Sequence, residues 1–116
     1  SWRTADQLQT WDFGTGSLIK TIPWNTNAYA ASGQQACMLY ATMFSKEGGG
    51  RFIGAGGSGS NEAKVFDHAN GDAIVGTVAG LTRGIFTLDF AHDNSMVAVA
   101  GGDSTIRILD IVGVDA

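Results

Sequence analysis

Three stretches of this 116-residue sequence can be superimposed with the same order of strand and turn signals. In the first two, a short apolar strand ends in an aromatic residue and an aspartate, and a glycine follows the aspartate by four positions. A second apolar strand comes next, so each stretch predicts a hairpin whose turn needs a residue at positive φ. The third stretch repeats the first strand. The aligned segments are 8–22, 63–78 and 105–110.

A second pair of segments lies upstream of the second and third stretches. Residues 39–45 match 85–91, a polar turn follows each, and then residues 51–57 match 96–102. Each full repeat therefore contains four short strands. The 43 residues from Phe66 to Leu109 fall within the range of about 40 to 45 expected for one four-stranded propeller blade. The 55 residues from Trp11 to Phe66 are explained mainly by an inserted loop.

Composition agrees with an all-β fold. Seventeen glycines stand against one proline, and only 16% of the residues are charged, which suits short strands joined by tight turns. A formal net charge of -4 without any cluster of Lys or Arg argues against a nucleic-acid partner. No stretch approaches the roughly 18 apolar residues of a membrane span, so no membrane partner is expected.

The single cysteine, Cys37, lies in an apolar run. We interpret it as a small buried hydrophobic residue, with a reactive thiol as the alternative. One cysteine cannot form an internal disulfide, so we expect an intracellular, reducing location such as the cytoplasm.

The sequence resembles the WD40 repeat family over essentially its whole length. The dipeptide that names the family stands at three equivalent positions, as Trp11-Asp12, Phe66-Asp67 and Leu109-Asp110, and residues 100–110 are the best match. The resemblance implies that these six residues are structural, and that Asp103 accepts backbone hydrogen bonds in the turn between the second and third strands. Asn61 stands nearest to that place one repeat earlier. The Gly-His dipeptide of the family is absent, with Gly80-Leu81 in its place in one repeat.

The resemblance implies an all-β fold, part of a WD40 β-propeller built of four-stranded antiparallel blades. We assign residues 1–24 to the outer half of a first blade, 25–35 to the inserted loop, 36–79 to a second blade and 80–116 to a third. The outermost strand of the third blade is incomplete, because 111–114 could supply only part of it. Since a ring needs at least about four blades, we expect the remaining blades to come from the same or another chain.

No arrangement of residues predicts catalysis, a cofactor or a metal. The run Gly54–Gly59 satisfies G-x-G-x-x-G, but the helix that a dinucleotide site needs does not follow it, and we expect a glycine-rich connecting loop instead. His68 and His92 lie at turns without a second ligand at metal-binding spacing. The acidic residues are scattered, and no serine lies in a nucleophile motif. We therefore expect a protein that is not an enzyme.

Three side chains are candidates for contacting a partner protein, because loops at the rims of a rigid scaffold commonly bind. Trp24 and Tyr29 lie in or beside the inserted loop, and Arg83 precedes an innermost strand. The alternatives are that Trp24 packs beneath its own loop and that Arg83 is merely solvated.

The predicted function is a non-catalytic protein–protein interaction scaffold within a larger protein or assembly. One alternative is an accessory propeller beside an enzymatic domain outside this chain. Another is a structural component of a large machine such as a ciliary axoneme, which would give a cytoskeletal or ciliary location.

Overall fold

A computed structural model describes residues 1–2, 5–24 and 36–112. These residues form three separate antiparallel sheets in which strands adjacent in sequence are also adjacent in space. The first sheet contains β1 (Leu8–Trp11) and β2 (Leu18–Ile22). The second contains β3 (Met38–Phe44), β4 (Phe52–Ser58), β5 (Ala63–Asp67) and β6 (Ala73–Val78). The third contains β7 (Ile85–Phe90), β8 (Met96–Gly101) and β9 (Ile106–Asp110).

The second sheet is a complete four-stranded unit with the order β3-β4-β5-β6. Short 3₁₀ helices at Glu47–Gly49 and His68–Asn70 join its strands. The all-β fold class and the four-stranded antiparallel unit predicted from the sequence are therefore confirmed. Ile111 and Val112 follow β9 without forming a strand, and residues 113–116 lie outside the described residues.

The repeat is visible in the backbone as well as in the sequence. Asp6, Asn61 and Ser104 have φ of 54°, 55° and 64°, and each lies two residues before the first residue of β1, β5 or β9. Asn61 therefore corresponds to Ser104, one position later than its expected match, Asp103. Asn and Asp tolerate this left-handed conformation better than other side chains do, whereas the serine is less usual there.

The predicted hairpin glycines behave as expected. Gly16 and Gly71 have φ of 72° and 67°, and they lie between β1 and β2 and between β5 and β6. Glycine adopts this left-handed conformation without a steric penalty, because it has no Cβ. The same turn thus closes the outer strand pair in two of the three sheets.

Two apolar cores lie between the three sheets, one on each face of the second sheet. Strand β4 shows this best: Ile53 and Ala55 point to the core shared with the first sheet, and Phe52 points to the core shared with the third. The first core contains Leu8, Ile22, Trp24, Cys37, Leu39, Ile53, Ala55 and Phe66. The second contains Phe52, Ala63, Ile85, Leu88, Phe90, Val97 and Val99.

The glycine-rich run is part of this packing, and the predicted connecting loop is wrong for most of it. Gly54 and Gly56 lie in β4 and face the third sheet. A Cβ at Gly54 would lie 2.9 Å from Leu88 Cδ1, and one at Gly56 would lie 2.7 Å from Ile85 Cγ2. The glycines allow the two sheets to approach closely, a common reason for glycine within a strand.

Candidate partner-binding surface

Trp24 lies in the first core and is only 2% exposed. Its Nε1 donates a hydrogen bond to Glu62 Oε1 at 3.3 Å, and its ring centroid lies 5.8 Å from that of Phe66. The ammonium of Lys64 stands 4.9 Å from the ring centroid, a cation–π distance. The prediction that Trp24 is a surface anchor is therefore wrong, because its ring joins the core between two sheets.

The other two candidates differ in what the structure says of them. Tyr29 lies outside the described residues, so it stays a prediction. Arg83 is exposed just before β7, and among the described residues no carboxylate pairs with it. A Cβ at Gly102 would lie 3.2 Å from Arg83 Cβ and 3.3 Å from Phe86 Cε2. The side chains of Arg83 and Phe86 therefore both lie against the backbone of Gly102, which has no side chain to separate them.

Two exposed aromatic residues occupy the same irregular position on the innermost strands of two sheets. In the pairing of β3 with β4, the register shifts between Leu39 and Ala41, so Tyr40 is skipped. The same shift on β7 skips Phe86. Such bulges re-aim a side chain, and here they turn a ring outward in each sheet.

Each bulge depends on a glycine in the facing strand. A Cβ at Gly57 would collide with the carbonyl oxygen of Met38, and one at Gly101 would collide with that of Gly84. Each bulge thus requires the glycine that faces it, and the same combination occurs in the second and the third sheet. The sequence alignment placed Tyr40 opposite Phe86, but a bulge leaves no mark in hydrophobic periodicity, and sequence reasoning missed both residues.

Trp2, Tyr40 and Phe86 form a continuous row of rings, which we call the aromatic ridge. The ring centroids of Trp2 and Tyr40 are 6.0 Å apart, and those of Tyr40 and Phe86 are 5.1 Å apart with an edge-to-face angle of 82°. The three side chains are 60%, 51% and 52% exposed. Adjacent exposed rings of this kind are unusual on a surface that contacts only water.

Asp103 organises the turn before β9. Its Oδ1 accepts the backbone N–H of Thr105 at 3.1 Å, and its Oδ2 accepts from Arg107 Nη1 at 2.9 Å. The hydrogen bond from Arg107, followed by that from Thr105, lowers the pKa of the Asp103 carboxyl. The carboxylate thus ties the turn to the strand that follows it.

The residues at the family dipeptide differ in environment. Phe66 is fully buried and Trp11 is exposed, while Leu109 is half-buried. Asp12 accepts the backbone N–H of Thr15 at 2.9 Å. The other two aspartates also differ, because Asp67 is buried with Arg51 Nη2 at 3.5 Å from its Oδ2, whereas Asp110 is exposed.

A polar cluster joins the first sheet to the second. Asp72, whose side chain is buried, lies 2.5 Å from Lys20 Nζ of β2 and 2.6 Å from His68 Nδ1. Burial alone would raise the pKa of the Asp72 carboxyl, but the hydrogen bonds from Lys20 and His68 outweigh it and lower that pKa. The cluster is a structural contact between the two sheets, since its polar groups are already paired with one another.

The described ranges contain no group of three His, Cys, Asp or Glu side chains placed to hold a metal ion. Nor does any helix in them have the length and apolar character needed to cross a membrane. Burial raises the pKa of the Cys37 thiol, which disfavours the thiolate that a reactive cysteine needs.

Comparison with known proteins rests on structure. No protein-family model matches the sequence, and no curated protein matches it. The chain is similar to the C-terminal WD40 domain of Sif2, with a TM-score of 0.60 and 12% sequence identity over 89% of this chain. The match covers 28% of that solved chain, so this chain spans less than a third of its length. With its antiparallel sheets, the chain thus has the fold of part of a WD40-type β-propeller.

Proposed function

We propose that this chain is a segment of a non-catalytic protein–protein interaction scaffold. Its partners are other proteins, together with the remaining blades of the propeller from the same or another chain. The observation that carries the proposal is the contrast between the second sheet, which is covered on both faces, and the outer sheets, which are open. Fold alone does not assign a function, so the proposal rests on these surfaces.

The open face of the third sheet carries apolar side chains at positions whose equivalents in the second sheet are buried. Ile106 and Ile108 of β9 are 71% and 67% exposed, and they occupy the places of Ala63 and Val65 in β5. Ala63 is 5% exposed, and both β5 residues face the core shared with the next sheet. A neighbouring blade on β9 would bury the two isoleucines in the same way, since each blade covers its neighbours.

The edges of the outer sheets also favour a larger assembly. In the described residues β9 pairs only with β8, and β1 pairs only with β2. Unpaired strand edges beside exposed apolar side chains promote aggregation unless they are covered. A polypeptide that keeps these features must cover them, and further blades do so with the same geometry.

The test is gentle purification of the natural polypeptide that contains these residues, followed by mass analysis of the intact particle and of its denatured chains. We expect at least one other protein in near-stoichiometric amount. A particle that contains only this polypeptide and releases no other chain would contradict the scaffold function. The control is the same preparation after high-salt washing, which removes proteins that are bound by weak surface charge.

A further inference from the structure

We propose that Asn70 is a site of spontaneous covalent modification, at which the side-chain amide cyclises onto the backbone nitrogen of Gly71 and hydrolyses to isoaspartate and aspartate. The inference is independent of the proposed scaffold function. It is carried by the exposed Asn70-Gly71 dipeptide, by the open space around it and by the contact between two sheets that the same turn supports.

The reaction needs only water and the two residues themselves. The backbone nitrogen of Gly71 attacks Cγ of Asn70, and the new C–N bond closes a five-membered succinimide ring. The side-chain nitrogen leaves as ammonia with the proton of the Gly71 N–H. Water then adds to one of the two ring carbonyls and opens the ring to aspartate or isoaspartate. No atom is oxidised or reduced.

The structure presents Asn70 for this reaction. The residue is exposed at the end of the 3₁₀ helix His68–Asn70, and within the described ranges its amide makes no hydrogen bond. A Cβ at Gly71 would meet nothing within 4 Å, so the space beside the attacking nitrogen is open. A short exposed turn also distorts at little cost, which lets this nitrogen reach Cγ.

The other two asparagines in the described ranges are held in place. Asn61 Nδ2 donates to Leu81 O at 3.1 Å, and both ends of the Asn94 amide are hydrogen-bonded to the backbone of residues 46–47. Glutamate follows the first and serine follows the second, so a side chain stands beside each attacking nitrogen. Of these three asparagines, only Asn70 combines an amide without a hydrogen bond with a following glycine.

Modification of this turn changes how the second sheet contacts the first. His68 and Asp72 flank the turn, with His68 Nδ1 2.6 Å from Asp72 Oδ1, and Asp72 Oδ2 lies 2.5 Å from Lys20 Nζ of β2. Gly71 and Asp72 are both left-handed, with φ of 67° and 60°, so this contact depends on a specific backbone path. Isoaspartate inserts a methylene group into that path and adds a negative charge. We therefore expect the contact between the turn and β2 to loosen.

The experiment is storage of the purified natural polypeptide in neutral buffer, followed by tryptic digestion and mass spectrometry. Cleavage after Lys and Arg releases peptides 52–64, 65–83 and 84–107, each with a single asparagine. Peptide 65–83 should gain the mass difference between an amide and an acid about tenfold faster than the other two, because only glycine offers no Cβ beside the attacking nitrogen. A protein isoaspartate methyltransferase should label it. Digestion in heavy-oxygen water marks any modification that arises during digestion.

Asn70→Gln is the matched control, because it keeps the amide but would have to close a six-membered ring, which is much slower. Its peptide should stay unmodified. Hydrogen exchange then tests the effect on the fold. After the same storage, the amides of β2 (Leu18–Ile22) should exchange faster in the wild type than in Asn70→Gln, and the two proteins should be indistinguishable when fresh.

Equal rates in the three peptides would overturn the modification site, and so would modification of peptide 65–83 only after unfolding in urea. Unchanged exchange of β2 in the modified protein would overturn the loosening of the contact between the sheets. Neither result alters which proteins co-purify with the natural polypeptide, so the scaffold function is judged separately.

Discussion

Phe66 and Trp11 occupy the same position in the repeat, yet their surroundings are opposite. Each precedes an aspartate, and each lies at a register shift in its strand pair. Phe66 is 1% exposed and Trp11 is 54% exposed. Phe66 lies between two strands of its own sheet and packs against another sheet, whereas Trp11 has only β2 beside it in the described residues. Local sequence therefore sets the backbone, and the neighbouring blades set the burial.

The largest expected effect is the loss of stability on truncating the aromatic side chain at this repeat position. Phe66→Ala should destabilise the natural polypeptide by about 3 to 5 kcal/mol, because it leaves a cavity in the core. If further blades cover the first sheet, Trp11→Ala should cost a comparable amount, although Trp11 is exposed here. Urea denaturation of both variants measures the two free energies of unfolding. A Trp11→Ala protein as stable as the wild type would contradict a covering blade.

The packing of the second sheet against the third is tested by a pair of glycines. Gly54→Ala should destabilise by about 1 to 3 kcal/mol, because the added methyl group would press on Leu88 and Phe90 in a filled core. Gly76→Ala is the control, since a Cβ there would meet nothing within 4 Å. Thermal melting compares the two, and equal melting temperatures would refute the close approach of the sheets.

A smaller effect is expected from the contact between the turns of these two sheets. Asn94 Oδ1 accepts the backbone N–H groups of Lys46 and Glu47 at 3.2 and 3.1 Å, and its Nδ2 donates to Glu47 O at 2.9 Å. Asn94→Gly keeps the left-handed backbone and should cost about 1 kcal/mol through the lost amide.

Asn70→Gly, at the exposed end of the 3₁₀ helix His68–Asn70, is the control for the entropy that glycine adds to the unfolded chain. The two variants are compared by urea denaturation. A loss of stability that is no greater for Asn94→Gly than for Asn70→Gly would show that the amide contributes nothing.

The smallest expected effect concerns Asp103 and depends on pH. The folded pKa of Asp103 is lowered from 3.8, so its contribution is complete above that value and disappears as pH falls through the folded pKa. Asp103→Ala should lower the melting temperature slightly at pH 7, and the difference from the wild type should shrink as pH falls below 3.8. Asp103→Asn, which keeps an acceptor for Thr105, should lose less. A drop in melting temperature that is independent of pH would contradict a role for the carboxylate.

Much of the fold could be predicted because the repeat is carried by local signals. The positive φ of Gly16 and Gly71 follows from turn chemistry, and the resemblance to WD40 repeats placed the strands in antiparallel sheets. The strand around Gly54 was harder to predict, because glycine is depleted in strands. Only the neighbouring sheet explains why glycine is needed there.

The candidate surface could be predicted only in part, since exposure is a property of the assembled sheets. Trp24 reads as a loop residue in sequence but enters a core that residues far along the chain complete, such as Phe66. Tyr40 and Phe86 stand in largely apolar strand segments, which the sequence alone predicts to be buried. The bulges that expose them depend on Gly57 and Gly101 in the facing strands.

The central claim is that further strands and blades cover the open edges and faces of this segment, and hydrogen exchange of the natural polypeptide tests it most directly at the edge of β9. Strand β5 (Ala63–Asp67) is paired on both edges, whereas β9 (Ile106–Asp110) is paired only with β8 in the described residues. Amides of an antiparallel strand point alternately to its two edges. We predict equally slow exchange in both strands, because a fourth strand also pairs β9. Fast exchange of roughly half the β9 amides, with β5 still protected, would contradict the claim.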